Sequence, residues 1–102
     1  STNDKMIDVK LIRIVTGEEI IAEVLSETDD TITVQNGLVV LPSAQGVGFA
    51  PWATVISKDE PEITMSKKHV VYVVATQEDV ANKYNEMFGS KVIVPESKKL
   101  IV

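Results

Sequence analysis

One basic cluster stands beside a strand-like segment of this chain, Lys67-Lys68-His69, followed directly by Val70-Val71. Two ammonium groups and an imidazole at consecutive positions can hold phosphate oxygens. The lysines act as point charges, and the imidazole adds a hydrogen bond or a stacking face for a base. The same residues also suit a solvated turn whose histidine caps backbone carbonyls. His69 is the only histidine, and there are no cysteines. Thiolate zinc sites, cysteine nucleophiles and a multi-histidine metal site within one subunit are therefore excluded.

Elsewhere the chemistry is sparse. A catalytic triad would have only His69 as its base, and no serine sits in a G-x-S-x-G context. Gly46-Val47-Gly48 lacks the further glycine and the helix that phosphate binding needs. Glu27, Asp29 and Asp30 lie together without the ligand spacing of a calcium loop. No enzymatic activity is expected, and no cofactor or metal. Trp52, with Phe49 nearby, offers aromatic surface. Such rings serve as stacking platforms for bases, or as core or subunit-contact anchors.

The chain has 102 residues, a net charge of -5 and 44% hydrophobic residues, which fits one folded domain rather than a disordered polymer. Residues 1–30 hold three basic and eight acidic residues, whereas the remainder holds seven of each. The negative charge therefore sits on the first two strands and the Glu27-Thr28-Asp29-Asp30 turn. Its plain use is solvation; its functional use would be to repel nucleic acid from everywhere but one site. The apolar run Val70 to Ala75 is far shorter than the ~20 residues of a membrane helix. The start, Ser1-Thr2-Asn3-Asp4-Lys5, is no secretory signal. A soluble, cytoplasmic protein without membrane contact is expected.

The elements that must position these groups are mostly strands. Valine, isoleucine and threonine make up 16, 10 and 8 residues, and branching at Cβ favours a pleated surface. Strands are expected over Ile7–Val15, Glu18–Leu25, Thr31–Leu41, Val47–Ile56 and His69–Ala75, with a short extended piece at Ile63–Ser66. Asn36-Gly37 is a hairpin signal inside the third run. The apolar residues change parity there, from Ile32 and Val34 to Leu38-Val39-Val40-Leu41, so a bend is the preferred reading. The reversal then falls at Pro42-Ser43-Ala44-Gln45-Gly46. One helix, about residues 77–88, opens with the Thr76/Asp79 capping pattern. It carries Val80, Ala81, Tyr84, Met87 and Phe88 as one apolar stripe and stops at Gly89. Ser90 to Val102 reads as an extended tail. Five or so short, bent strands and one helix describe a small barrel with the helix capping an open end.

Two segments carry a resemblance. Val9-Lys10-Leu11 through Gly17-Glu18-Glu19-Ile20-Ile21-Ala22-Glu23-Val24 resembles the first Sm motif, a strand, a glycine turn and an apolar-x-small-x-apolar strand. Ala22 stands where that motif usually has glycine. Lys68-His69-Val70-Val71 resembles the second Sm motif. In order and spacing, residues 7–75 resemble the Sm-like (Lsm/Hfq) family, with a layout nearest to small Sm-like proteins of tailed phages, including cyanophages.

The resemblance implies a strongly bent five-stranded barrel that closes into homo-oligomeric rings of about five to seven subunits. It also implies binding of single-stranded RNA, often U-rich or A-rich, in RNA stabilisation or metabolism, and in the host cytoplasm if the chain is phage-encoded. Lys67, Lys68 and His69 would then line the ring opening. Asp30-Thr31-Ile32-Thr33 matches the family's Asp-x-apolar-Asn loop, which puts Asp30, Ile32 and Thr33 beside a base. Thr33 lacks the paired donor and acceptor of an amide, and Ile32 offers no aromatic face. The helix follows the strands here instead of preceding them. The alternative is an assembly or adaptor protein that keeps barrel and ring without the RNA site. The missing asparagine and the acidic balance favour it; the Lys-His cluster favours RNA.

Overall fold

The computed structural model describes residues 6–89. Contacts divide the chain into a sheet unit, residues 8–76, and a second unit in which residues 6–7 accompany the helix. The elements are β1 (Val9–Ile14), β2 (Glu19–Glu27), β3 (Thr31–Ser43), β4 (Gly46–Pro51), β5 (Ile63–Ser66), a 3-10 turn (Lys67–His69), β6 (Val70–Ala75) and α1 (Glu78–Phe88). The protein is mostly β, as its branched residues require. All pairings are antiparallel, in the order β4-β3-β2-β1-β6, with β5 also on β3.

Two expectations need correction. The described residues form six strands rather than five, because the short piece at Ile63–Ser66 pairs fully with β3. The sheet is also open: among the described residues β4 pairs only with β3 and β6 only with β1. Neighbouring strands twist by about 20–25° per step, and the four steps of this path do not carry one edge round to the other.

β3 is the spine of the sheet. On one side it follows β2 along most of its length. On the other side Thr31–Val34 pair with β5, and Leu38–Ser43 pair with β4. The change of partner falls at Asn36-Gly37. The register there runs from Ile21↔Leu38 to Glu23↔Gln35, so Ala22 alone faces both Asn36 and Gly37. A second shift, from Val24↔Val34 to Ser26↔Thr33, leaves Leu25 as the extra residue on β2 and restores the original register. The strand therefore bends at Asn-Gly and does not reverse. Asn36 takes φ 56°, which asparagine tolerates better than most residues. Gly37 is needed for space: a Cβ there would stand 3.0 Å from Trp52 Cε3. The reversal comes later, at Ala44-Gln45, with Gly46 at φ 126°.

β4 ends at Pro51, earlier than the alternation of residues suggests. The Trp52 amide donates to the Gly37 carbonyl at 2.9 Å, and the chain then turns away from β3. Val55, expected within the strand, is 95% exposed. Trp52 packs against the core cluster of Ile12, Ile14, Ile20, Ala22, Ile32 and Val34, together with Ile63, Met65, Val70 and Val73. Of its two expected uses, the structure gives it the core. The first strand begins at Val9 rather than Ile7 and is buried on both faces, through Val9 on one and Ile12 and Ile14 on the other.

In the second unit the helix starts one residue later than the capping pattern implies. Gln77 is the N-cap, extended at φ -63° and ψ 149°, with no side-chain cap, and its carbonyl accepts the Ala81 amide. Thr76 thus falls outside the first turn. The helix ends at Gly89, whose backbone turns extended at φ -69° and ψ 153° while its amide still closes the last turn on Asn85 O at 2.7 Å, and a Cβ there would crowd that oxygen. Tyr84 is buried and its ring centroid lies 4.7 Å from that of Phe88. Met87, expected in the same stripe, is exposed. Among the described residues the buried polar one is Asn85: its Oδ1 accepts the Ile7 amide at 2.5 Å, and its Nδ2 donates to Ile7 O and Ala81 O. The expected tail, Ser90 to Val102, lies outside the described residues. Among those described, no helix is long and apolar enough to cross a membrane.

Two substitutions test this account. Gly37→Val should overpack the Trp52 contact and cost about 1–3 kcal/mol. Denaturant unfolding followed by the fluorescence of the single tryptophan reads both the loss and the changed environment. Asn85→Ala should strand the Ile7 amide and carbonyl and cost about 1–3 kcal/mol. An unchanged unfolding midpoint would show that water replaces the clasp.

Candidate nucleic-acid interface

The two loops singled out by sequence meet at one end of β3. Thr28 builds the first: its hydroxyl accepts the amides of Asp30 at 3.1 Å and Thr31 at 2.9 Å, and it lies 3.0 Å from the Thr31 hydroxyl. Hydroxyls of this kind satisfy backbone donors that a tight turn leaves unpaired. Ser66 builds the second. It caps the 3-10 turn by accepting the Lys68 amide at 3.1 Å. The Thr31↔Ser66 pairing joins the two loops, and the Lys67 amide donates to Asp30 O at 2.8 Å. Asp29, Asp30, Thr31, Ser66, Lys67 and Lys68 line an open cleft of about 550 Å³.

The side chains divide by environment. Lys67 Nζ lies 2.8 Å from Glu27 Oε2, a partly exposed ion pair. Lys68 is exposed and makes no ion pair among the described residues. His69 is exposed; its carbonyl accepts the Val15 amide at 2.9 Å, while its imidazole holds no hydrogen bond among the described residues. It does not act as the carbonyl cap that a solvated turn could use. His69 belongs to the 3-10 turn, so β6 begins one residue later than expected, at Val70.

Of the six candidate residues, Asp30, Lys67 and Lys68 come together in the cleft, and His69 follows them on the same turn. Ile32 does not reach the surface. It is fully buried in the core because it alternates with Thr31 and Thr33 along β3. Thr33 lies across from Thr64, hydroxyl to hydroxyl at 2.8 Å, so its polar group already has a partner. Thr31, not Ile32, is the loop residue that faces the cleft. The inward placing of Ile32 and Val34 was the signal for that. Thr28 and Ser66, which shape both loops, carry no chemistry that a sequence pattern would single out.

A second polar group lies on β2, β1 and β6. Arg13 Nε donates to Tyr72 Oη at 3.2 Å, Arg13 Nη2 lies 3.3 Å from Glu19 Oε2, and Arg13 Nη1 donates to Gly17 O at 2.9 Å. The Tyr72 hydroxyl donates to Glu19. Hydrogen bonding to Tyr72 pushes the guanidinium pKa further up, and Glu19 adds to this. Arg13 is the register partner of both Glu19 and Tyr72, which marks the group as a cross-strand tie. Among the described residues no cluster of acidic or histidine side chains could hold a metal ion.

No family model matches the chain, and no curated protein matches it.

The Thr28 hydroxyl can be tested alone. Thr28→Ala should cost about 1–2 kcal/mol and speed amide exchange at Asp30 and Thr31 by about tenfold. Protection unchanged at both amides would show that the turn is held by its backbone.

Proposed function

We propose that this protein is an Sm-like subunit that assembles into rings and binds single-stranded RNA at the Lys68-His69 turn. The observation that carries the reading is the position of that turn. Lys68 and His69 are exposed on a 3-10 turn that leads directly into β6, an edge strand. A ring joined through β6 would set several copies of the turn side by side, and several weak phosphate contacts on one strand add up.

The strand order supports the ring. Among the described residues β4 and β6 are the two ends of the path without a second partner, and such edges are normally covered. Val47 on β4 and Val71 and Val74 on β6 are exposed apolar residues at those ends. Pairing β4 of one copy with β6 of the next is head-to-tail, closes by rotation, and would complete an Sm-like barrel wall. About five to seven copies fit the family's geometry.

One observation favours the adaptor reading, in which the ring forms without an RNA site. Asp29 and Asp30 already match Lys67 and Lys68 in the cleft, and Glu27 holds Lys67 beside it, so the acidic groups outnumber the basic ones by one. Retention of oligo-U or oligo-A separates the two. Under the RNA reading, Lys68→Ala weakens both oligonucleotides alike and flattens the salt slope by about 0.7 per engaged subunit. Light scattering supplies the second check: Val71→Lys should turn rings into monomers. A monomeric wild type at micromolar concentration removes the ring, and oligomers that retain no oligonucleotide at low salt leave the adaptor.

A further inference from the structure

Lys67 and Lys68 are neighbours in sequence with different electrostatic states. The Lys67 ammonium is held 2.8 Å from a Glu27 carboxylate oxygen, while Lys68 has no ion pair among the described residues. The pair is set by backbone geometry. Glu27 is the last residue of β2, and the Lys67 amide is tied to Asp30 O just beyond the turn, at 2.8 Å. The side chains are 32% and 45% exposed, so a phosphate can reach this ammonium, but only by displacing a carboxylate. Asp29 and Asp30 on the same cleft repel any anion approaching from that side.

We infer that Glu27 is a built-in competitor for phosphate: by occupying Lys67 it leaves Lys68 as the available ammonium of this turn, and so sets the strength and salt dependence of RNA binding there. The inference rests on the RNA reading above. A carboxylate and a phosphate oxygen present the same anionic acceptor to an ammonium, so the two exclude each other at Lys67. A partly exposed pair of this kind is weak. It therefore attenuates binding rather than abolishing it, and the attenuation repeats at every subunit that a strand crosses.

The test uses the full chain and fluorescent oligo-U and oligo-A over a sodium chloride series. The proteins are wild type, Glu27→Gln, Lys67→Ala, the double variant Glu27→Gln/Lys67→Ala, and Glu60→Gln. The last removes the same charge from an exposed loop position. Light scattering and thermal melting establish that each variant keeps its assembly and fold. Glu27→Gln should tighten binding by about fivefold per engaged subunit and steepen the salt slope by about 0.7 per engaged subunit. In the Lys67→Ala background the same change should do no more than Glu60→Gln does. Lys67→Ala alone should leave the wild-type salt slope unchanged.

If Glu27→Gln only matches Glu60→Gln, or if its gain persists without Lys67, the competitor is overturned. Should wild type still bind and respond to Lys68→Ala in that case, the RNA reading stands without it. Binding by Glu27→Gln with none by wild type at low salt would overturn the attenuation, because a weak, partly exposed pair does not abolish binding. Failure of wild type and Glu27→Gln alike at low salt overturns both.

Discussion

Thirteen residues of β3 must satisfy backbone hydrogen bonds along two edges, and on one of those edges no single strand runs the full length. The chain solves this by changing partner at Asn36-Gly37. Leu38–Ser43 take β4, Thr31–Val34 take β5, and the residues between absorb the register shift against β2. Two features follow from that constraint. Trp52 closes over Gly37, because only a residue without Cβ lets the ring approach so closely, and this seals the point where the outer partner is missing. The chain between Trp52 and Glu62 is then free to leave the sheet and return as β5, which ends in Ser66.

The position of Ser66 in turn places the basic turn. Because Ser66 pairs with Thr31, the lysines that follow it are delivered to the end of β2 and its acidic loop. The juxtaposition that makes a cleft also puts opposite charges side by side. A basic triplet that looks continuous in sequence is thereby divided into one ammonium held by a carboxylate and one left to solvent. Net charge describes neither. The local balance around the cleft and the hydrogen bonds that orient it decide what an anion would meet there.

Residue chemistry at the helix shows the same dependence on partners. A single amide, Asn85, satisfies both polar groups of Ile7 and the carbonyl of Ala81. Removing water from such groups is costly unless each finds a partner. Asparagine fits because it carries a donor and an acceptor on one planar group. In sequence Asn85 is not part of the apolar stripe of Val80, Ala81, Tyr84, Met87 and Phe88, and its type alone does not mark it for burial.

Sequence by itself determined the strand-rich class, the helix near residues 77–88, the bend at Asn36-Gly37 and the inward side of β3. These are local properties: branching at Cβ, period-two alternation and the tolerance of asparagine and glycine for unusual backbone. It also singled out Lys67, Lys68 and His69, because charge and imidazole are visible wherever they lie. What only the tertiary structure decided depends on pairing between distant segments. That includes the end of β4 at Pro51, the open edges of the sheet, the meeting of the acidic loop with the Ser66 turn, and the engagement of Lys67 by Glu27. The reason is common to all four. Each depends on which backbone groups and charges meet across the sheet, and register between strands far apart in sequence leaves no mark on either strand alone.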